Sequence, residues 1–364
     1  MICFELSEEQ SVMKETAAKM VKNLIADNAH QMDEEGQIPD SYLDTFWELG
    51  TTPYMIPEEY GGYGMGVSPL MNSLVLEELA AGDMGYAVAA TLPGLVVQAV
   101  LDLGSEPQKE QYLPDYCGDT YTTGTLAICE KHFGSDPAEP RTTAVKKNGS
   151  VILNGEKCLV PMANRAEHVL VWAGLDGKNA LFMVDKNTPG MSIGEREKNI
   201  GPNTLETYTV SFNDCEIPAE QQLGDGEDLA CRKILHRTRT ALSAMGTGIA
   251  RASFEYARDY AKERVQFGEP IAGRQSVAFM IAEMAYEVDA MRLMTWKAAS
   301  ALEARKDAAR SSYLAKLYAG EMAMKVTDFG VQVLGGHGYV RDHPVERYYR
   351  NGRTIAVLEG MAAV

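Results

Sequence analysis

The residue near the end of the sequence that is best suited to acid–base chemistry is Glu359. It stands between Leu358 and Gly360, in an apolar neighbourhood. Burial beside apolar groups disfavours a charged carboxylate and makes it a stronger base. The alternative interpretation is a solvated glutamate of the kind that is common near chain ends. A buried carboxylate of this kind can act as a general base.

A second polar group lies on a segment with helical spacing, where His236, Thr238 and Arg239 fall within one turn. These residues either contact a ligand or form the polar outer face of a helix. Arginine carries several N–H donors for anionic or carbonyl oxygens, whereas threonine has no side-chain group that could act as a base at neutral pH.

The composition of the 364-residue sequence excludes several classes of protein. Its net charge of -17 and the lack of any Lys/Arg-rich run are unlike nucleic-acid-binding proteins, which carry basic patches. The six cysteines form no CxxC pair and no zinc-like spacing with histidine, so we expect no metal site and reduced thiols in the cytoplasm. Met1–Gln10 resembles neither a signal nor a transit peptide. No apolar run approaches the roughly 18 residues of a membrane span, so we expect no membrane association.

The spacing of apolar residues divides the chain into three zones, and its length suits two or three domains. Helical spacing begins at Ser7, a candidate N-cap followed by an acidic first turn, and continues to about Leu113. Short β-type runs then extend to Leu223, and long helical segments follow from Glu227. The pattern predicts an α+β protein with an N-terminal all-α domain, a middle β-sandwich or barrel and a C-terminal helical bundle, over residues 1–119, 120–226 and 227–364.

The finer pattern predicts individual elements. The β-type runs are Thr142–Val145, Ser150–Leu153, His168–Ala173, Ala180–Val184 and Thr207–Phe212. The dipeptides Asn148-Gly149 and Asn154-Gly155 are each typical of a hairpin turn. The long helical segments are Arg239–Lys262, Gln275–Arg305 and Ala308–Leu334.

A series of motifs, spread along the whole chain, resembles the acyl-CoA dehydrogenase family in order and spacing. A single glycine cluster would be a weak signal, but an ordered series of matches makes coincidence improbable. The matching segments are Pro57–Gly64, Glu130 with Gly134–Asp136, Leu153–Lys157, Thr188–Gly190 with Phe212–Pro218, Glu263–Gly268 with Gln275, Gln332–Tyr339 and Pro344–Gly360. The resemblance implies the three-domain fold of the family, in which the C-terminal domain is a four-helix bundle.

The resemblance also implies an enzyme that desaturates an acyl-CoA thioester between its α and β carbons. In the family a carboxylate removes the α-proton, the flavin N5 atom accepts a hydride, and the backbone N–H of the base residue helps to bind the thioester oxygen. Glu359 matches the catalytic glutamate of the family. Some relatives place the base at the position of Thr238, where threonine cannot serve. The positions that match substrate-binding residues are Ser135, His236, Arg239 and Gly360.

The resemblance implies FAD as the cofactor and assigns it to two groups of residues. The ring half is expected to contact Leu126, Ile128, Cys129, Gly134, Ser135, Leu159 and Pro161. The adenosine half, which a neighbouring subunit binds in the family, is expected to contact Arg264, Phe267, Gln275, Gln332, Val333, Gly335 and Gly336. Glycine lets the backbone approach a pyrophosphate closely, and arginine pairs with phosphate through two donors. A homotetramer, or a heteromer with another family member, is therefore implied.

The sequence departs from the family around the flavin ring. Cys129 replaces a threonine that hydrogen-bonds the flavin, and Leu159 and Pro161 replace the tryptophan and the hydroxyl residue of a Trp-Ile-Thr or Trp-Ile-Ser segment. Proline offers neither an N–H nor a hydroxyl group. After Gly360 the family continues into a closing helix that contacts adenine, whereas this sequence ends at Val364. We therefore expect FAD to be bound more weakly than in typical relatives.

Two hypotheses follow from a retained base beside an altered flavin site. The first is a flavoenzyme that oxidises an acyl-CoA and passes its electrons to an electron-transfer flavoprotein. The second is a partner subunit of a heteromeric acyl-CoA dehydrogenase with an incomplete flavin site. The acyl group stays open here, because it depends on pocket shape along Met84–Val97 and the helix that carries Arg239. The direction also stays open, since a few relatives are enoyl-CoA reductases.

Overall fold

The N-terminal zone is helical because its apolar residues recur at helical spacing. The computed structural model describes residues 5–132, 135–224 and 228–364, apart from the side chains of 228–230. The helices of this zone are α1 (Glu8–Met20), α2 (Ala29–Glu35), α3 (Asp40–Trp47), α4 (Pro69–Gly82), α5 (Met84–Leu103) and α6 (Glu106–Tyr112). Ser7 caps α1, because its Oγ accepts from the backbone N–H of Gln10 while the Gln10 side chain accepts from the N–H of Ser7. The predicted N-cap is confirmed.

Helix α5 is apolar on all sides because it lies inside the protein. Among the helices that the structure describes, it alone is long and apolar enough to cross a membrane, yet 89% of the window that meets this test is buried. The expectation that no apolar run approaches the length of a membrane span is therefore wrong. The run is long because α5 packs on all sides, against α3, α4, the later helix α7 (Asp228–Glu263) and strand β1 (Gly124–Ala127).

The middle zone forms a single mixed sheet. After β1, its strands are β2 (Thr143–Lys147), β3 (Ser150–Pro161), β4 (His168–Leu175), β5 (Lys178–Asp185), β6 (Met191–Arg196), β7 (Thr207–Pro218) and β8 (Gln222–Leu223). The strand order is β6-β7-β3-β2-β4-β5-β8, and β1 runs parallel to β4. Each predicted β-type run overlaps one of these strands. The prediction missed β1, which shows no alternation because every residue is buried, and the short strands β6 and β8.

The two predicted hairpin turns have different outcomes. Asn148-Gly149 connects β2 to β3, which pair antiparallel, so this turn is confirmed. Asn154-Gly155 lies inside β3, so the second turn is wrong. The pairing of β3 with β7 shifts register between Leu153 and Gly155, and Gly155 has a φ of +151°. This register shift is a β-bulge. It requires glycine at position 155, because a Cβ there would lie 2.6 Å from the hydroxyl oxygen of Thr142.

The C-terminal zone is the predicted four-helix bundle, built from the long helices and the last one. Its elements are α7 (Asp228–Glu263), β9 (Val265–Gln266), β10 (Glu269–Pro270), α8 (Gln275–Glu303), α9 (Ala309–Leu334), α10 (Gly336–Tyr339) and α11 (Val345–Val357). Helix α7 packs against α8, α9 and α11, and α9 packs against both α8 and α11. The strands β9 and β10 form a small hairpin between α7 and α8. This arrangement brings the end of α11 next to the middle of α7 and the first turns of α9.

Buried carboxylates of α4 fasten the N-terminal domain to the bundle. Glu77 and Glu78 are 3% and 4% exposed. The Nη2 atom of Arg292 lies 2.8 Å from Glu77 Oε1, and Nη2 of Arg251 lies 2.6 Å from Glu78 Oε2. Removing one partner of such a pair would leave an uncompensated buried charge. The pairs therefore fix the position of α4 against α7 and α8.

His168, the first residue of β4, joins the N-terminal and middle domains through two carboxylates. Its Nε2 atom lies 3.0 Å from Asp115 Oδ2, and its Nδ1 atom lies 3.1 Å from Asp185 Oδ1. Burial opposes the charged imidazolium, but the hydrogen bonds to Asp185 and Asp115 outweigh it and raise the pKa of His168 above 6.5. This contribution to stability is present below the unfolded-state pKa of about 6.5 and is lost as pH rises through the higher folded-state pKa.

We predict that His168→Gln destabilises the protein more at pH 6 than at pH 9. The substitution removes the positive charge that both carboxylates bind, and the native protein carries more of that charge at pH 6 than at pH 9. The deficit in thermal midpoint relative to the native protein should be larger at pH 6 by about 2 °C or more. His30→Gln, at an exposed histidine of α2, is the control and should show no such pH dependence. Equal deficits at both pH values for His168→Gln would contradict the assignment.

Candidate active site

Glu359 follows the end of α11 and lies between α7 and α9. Its Oε1 atom is 3.3 Å from Arg239 Nε on α7 and 3.4 Å from Lys316 Nζ on α9. Its Oε2 atom is buried and has no hydrogen-bond partner within the described residues. The side chain is 12% exposed. One carboxylate oxygen is therefore held by two cations, while the other is available to accept a proton.

The end of β1 and the segment that follows it pack against Glu359 and Gly360. Gly360 has a φ of +71°, and a Cβ there would lie 2.7 Å from Ile128 Cγ2 and 2.9 Å from Leu126 Cδ2, so only glycine fits. The Cys129 thiol lies 3.8 Å from the backbone oxygen of Glu359. Burial raises the pKa of Cys129 to about 12, which keeps the thiol protonated as a weak donor. The structure thus brings three predicted flavin residues together with the predicted base.

A buried ion pair holds this segment in place, although our sequence analysis assigned it no role. Lys157 Nζ, on β3, lies 2.7 Å from Glu130 Oε1 and 3.3 Å from the carbonyl oxygen of Ile128. Glu130 also accepts hydrogen bonds from the backbone N–H groups of Arg141 and Thr142. Burial opposes the ionisation of Glu130, but the charge of Lys157 outweighs it and lowers the pKa of Glu130 to about 2. The signal that could have found this pair is the presence of both residues in family-like motifs.

Ser135 and His236, both predicted to bind substrate, lie on different elements and have different polar contacts. Ser135 Oγ accepts a hydrogen bond of 3.0 Å from the backbone N–H of Glu130. His236 lies one turn before Arg239 on α7, and its Nδ1 atom is buried without a partner in the part of the chain that is described. Burial, followed by the positive charge of Arg239, lowers the pKa of His236, so the imidazole is neutral at pH 7. Gly134 lies outside the described residues.

Leu159 and Pro161, which were also assigned to the flavin ring, form hydrogen bonds within the protein through their backbone polar groups. The N–H of Leu159 donates to the Glu197 carboxylate at 3.0 Å, and Leu159 has a φ of +53°. The carbonyl oxygen of Pro161 accepts from the Thr125 hydroxyl at 2.7 Å. Neither residue offers a spare donor to a ring nitrogen. Their contact with flavin stays a prediction.

A surface groove of about 630 Å³ lies at the other end of α9. Five of the predicted adenosine residues line it together with Tyr260 and His337, namely Arg264, Phe267, Val333, Gly335 and Gly336. Gln275 and Gln332, which were also predicted, are exposed and do not belong to the residues that line the groove. Lys316 and Val333 are 17 residues apart on α9, about 26 Å along the helix axis. The groove and Glu359 therefore lie far apart within one chain.

The groove fits the adenosine half of a dinucleotide. A Cβ added at Gly335 or Gly336 would meet nothing within 4 Å, so the backbone there is open to a phosphate. Arg264 supplies a cation for phosphate, and the Phe267 ring, 91% exposed on the β9–β10 hairpin, offers a face for stacking. The residues that would hold the adenosine half are therefore suited to it, while the ring half has fewer donors.

Comparison with known proteins identifies the family. The N-terminal, middle and C-terminal domains of acyl-CoA dehydrogenase match residues 7–119, 125–215 and 224–364. An acyl-CoA dehydrogenase of Bacillus subtilis is 33% identical over 365 residues, which cover 98% of this chain and 95% of the relative. A cyclohex-1-ene-1-carbonyl-CoA dehydrogenase of Syntrophus aciditrophicus is 35% identical over 370 residues, covering 98% and 87%. The solved butyryl-CoA dehydrogenase of Megasphaera elsdenii has a TM-score of 0.90 at 30% identity, covering 99% of this chain and 96% of that one.

The fold, the buried carboxylate and the relatives together define an FAD-dependent oxidoreductase. The chain belongs to the acyl-CoA dehydrogenase family, as its motifs predicted. The predicted three-domain α+β fold and the predicted cofactor, FAD, are confirmed at this level. The roles of the individual site residues remain predictions.

We predict that the purified homomer retains FAD weakly, because Leu159 and Pro161 offer the ring neither an indole nor a donor. Each lost net hydrogen bond or aromatic pair costs about 0.5–1.5 kcal/mol, and two such losses raise the dissociation constant about ten- to a hundredfold. After prolonged dialysis, flavin absorbance should show well under one FAD per chain, and added FAD should restore it. Leu159→Trp should increase the retained FAD, whereas the control Leu49→Trp, at an exposed leucine, should not. Native protein that keeps one FAD per chain through dialysis would contradict this prediction.

Proposed function

We propose that this enzyme desaturates an acyl-CoA thioester between its α and β carbons, with Glu359 as the general base. The observation that carries the proposal is the unequal environment of the two carboxylate oxygens. Arg239 and Lys316 hold Oε1, while Oε2 is buried without a partner in the described structure. An unpaired oxygen of a buried carboxylate is costly, and accepting a proton relieves that cost. Bound FAD supplies the acceptor for the hydride that leaves the β carbon.

The backbone beside the base supports the proposed proton abstraction. Helix α11 ends with the hydrogen bond from the N–H of Leu358 to the carbonyl of Thr354, so the N–H of Glu359 lies beyond the helical hydrogen bonds. We assign this N–H to the thioester oxygen, where negative charge develops as the α-proton leaves. The guanidinium of Arg239, which lies 5.4 Å from the Tyr313 ring centroid, and the neutral His236 are assigned to the substrate on the α7 side.

We predict that the Glu359→Gln enzyme binds acyl-CoA but turns it over much more slowly than the native enzyme. The amide keeps the shape of the side chain and removes its basicity, so the rate of flavin reduction should fall by at least about 100-fold. The measurement is stopped-flow flavin reduction with a panel of acyl-CoAs that includes butyryl-CoA, together with calorimetric binding. Glu321→Gln, at an exposed glutamate of α9, is the matched control and should leave the rate unchanged. Near-native turnover in Glu359→Gln would defeat the assignment of the base.

We also propose that the enzyme works as an oligomer, either a homotetramer or a heteromer with another family member. The exposed apolar residues Phe279, Tyr286 and Leu293 recur every seven positions and therefore lie along one side of α8. The separation of the adenosine groove from Glu359 within one chain supports the same proposal, because a neighbouring subunit would bring the two together at one FAD.

We predict that Phe279→Glu combined with Leu293→Glu produces a smaller species with less bound FAD. A charge on the apolar side of α8 opposes its burial against another subunit. Light scattering coupled to size exclusion should show a lower mass, and flavin absorbance per chain should fall with it. Val12→Glu, at an equally exposed residue of α1, is the control and should change neither quantity. A native protein that is monomeric and fully loaded with FAD would contradict the oligomer proposal.

One observation favours a second candidate function, that of a partner subunit in a heteromeric acyl-CoA dehydrogenase. The N–H of Leu159 is bound by Glu197, and Pro161 has no N–H, so the ring side of the site is poor in donors. A protein that is colourless alone and becomes yellow and active with a second family member would favour this function. A protein that reduces its own FAD with acyl-CoA would favour the first.

Two further assignments rest on the family resemblance and on composition. We infer that an electron-transfer flavoprotein accepts the electrons, which is tested by following its reduction with acyl-CoA as the donor. We also infer a cytoplasmic location, since no disulfide links the cysteines within the described residues, as is usual in a reducing compartment.

A further inference from the structure

Lys316 is a nearly buried lysine that our sequence analysis did not single out. Its side chain is 13% exposed, and its Nζ atom lies 3.4 Å from Glu359 Oε1 and 3.3 Å from the carbonyl oxygen of Ala356. Ala356 belongs to the last turn of α11, three residues before Glu359. The ammonium group therefore contacts both the carboxylate and the backbone segment that carries it.

Close contact between α9 and α11 brings Lys316 to this position. Gly320 lies one turn after Lys316 on α9, and a Cβ at Gly320 would lie 3.2 Å from both Cα and Cβ of Ala356. A larger residue there would push the two helices apart, and the lysine stem would no longer reach the end of α11. The approach of the helices and the reach of the lysine are thus coupled.

We propose that Lys316 is a positioning residue that holds Oε1 of Glu359 so that Oε2 accepts the α-proton. The inference rests on the proposed role of Glu359 as the base. A glutamate side chain has several rotatable bonds, and ordering it costs conformational entropy. Two cations that approach Oε1 from α7 and α9 restrict those rotations before the substrate arrives. Catalysis is sensitive to such placement, since a misplacement of about 1 Å can cost about 100-fold in rate.

Lys316 and Arg239 both contact Glu359 Oε1 but differ in their other contacts. Arg239 lies near the Tyr313 ring at 5.4 Å and is assigned to the substrate, so its contact with Glu359 is shared with other functions. Lys316 instead donates to the carbonyl of Ala356 and is attached to the same segment as the base. We therefore expect Lys316 to hold Glu359 throughout the reaction, independently of substrate.

The groups that face Glu359 come from three elements of the described structure. They are Arg239 on α7, Lys316 on α9 and the protonated Cys129 thiol after β1. Two of them are cations, and a nearby cation favours the charged form of a carboxylate. Removing the charge of Lys316 should therefore make protonation of the base easier and move the acid limb of the pH–rate profile to higher pH.

The test compares Lys316→Met, which keeps the length of the stem without the charge, with Lys316→Arg, in enzyme saturated with FAD. For Lys316→Met we expect flavin reduction by butyryl-CoA to slow about 10- to 100-fold and the acid limb to move to higher pH. The calorimetric dissociation constant for butyryl-CoA should stay within about threefold of the native value, because we assign Lys316 to Glu359 and the Ala356 carbonyl and not to the substrate. Lys316→Arg should recover most of the lost rate, since it restores a cation at Oε1.

Lys325→Met is the matched control, because Lys325 lies on the same helix and pairs with Glu283 and Glu287. It should keep the native rate and pH profile. A Lys316→Met enzyme with native rate and pH profile, beside an inactive Glu359→Gln enzyme, would overturn this inference and leave the proposed function intact. An active Glu359→Gln enzyme would overturn both. A rate loss in Lys316→Met that Lys316→Arg does not recover, with an unmoved acid limb, would also overturn the positioning role.

Discussion

A buried carboxylate that acts as a base must be held in place and yet remain able to accept a proton, and the surroundings of Glu359, the proposed base, meet that constraint. Two cations bind one oxygen, and the second oxygen is buried with no partner in the described residues. The C-terminal bundle and the middle domain meet at this residue. The bundle supplies the cations from α7 and α9, and the middle domain packs the end of β1 onto Gly360. Because no single element could create this environment, the chemistry depends on the relative position of the domains.

The other buried charges keep that position fixed. The pair of Glu130 and Lys157 orders the segment that carries Cys129, and the carboxylates of α4 hold the N-terminal domain on the bundle. The first pair lies within the middle domain and the others join two domains, and a shift at any of them would leave an ion unpaired and buried. The adenosine groove lies outside this system, on an exposed end of α9 about 26 Å along the helix from Lys316. The separation of Glu359 from this groove within one chain supports the oligomer proposal.

Sequence motifs predicted the family, the three-domain fold and FAD, because ordered motifs report on the whole chain and not on local preference. They also assigned Leu126, Ile128 and Cys129 to the flavin ring, and their role toward flavin stays a prediction. In the structure these residues lie against Gly360 and the Glu359 backbone. Lys316 could not be predicted in this way, since its importance arises from the contact of α9 with α11, and a lysine on a helix is usually solvated. The error at Asn154-Gly155 has a similar origin, because a turn signal is local whereas the bulge depends on Thr142, which immediately precedes the neighbouring strand β2. Likewise, α5 has a long apolar run because elements that are distant in sequence bury it.

We have proposed that Glu359 takes the α-proton of the acyl group. Proton removal can be observed apart from hydride transfer, by incubating the FAD-loaded enzyme with butyryl-CoA in deuterated water without an electron acceptor. Mass spectrometry then follows deuterium that enters the α position when the base returns a solvent-derived deuteron. The account predicts exchange with the native enzyme and exchange slower by at least about 100-fold with Glu359→Gln. Exchange at the native rate in Glu359→Gln would show that another group removes the proton and would contradict the account.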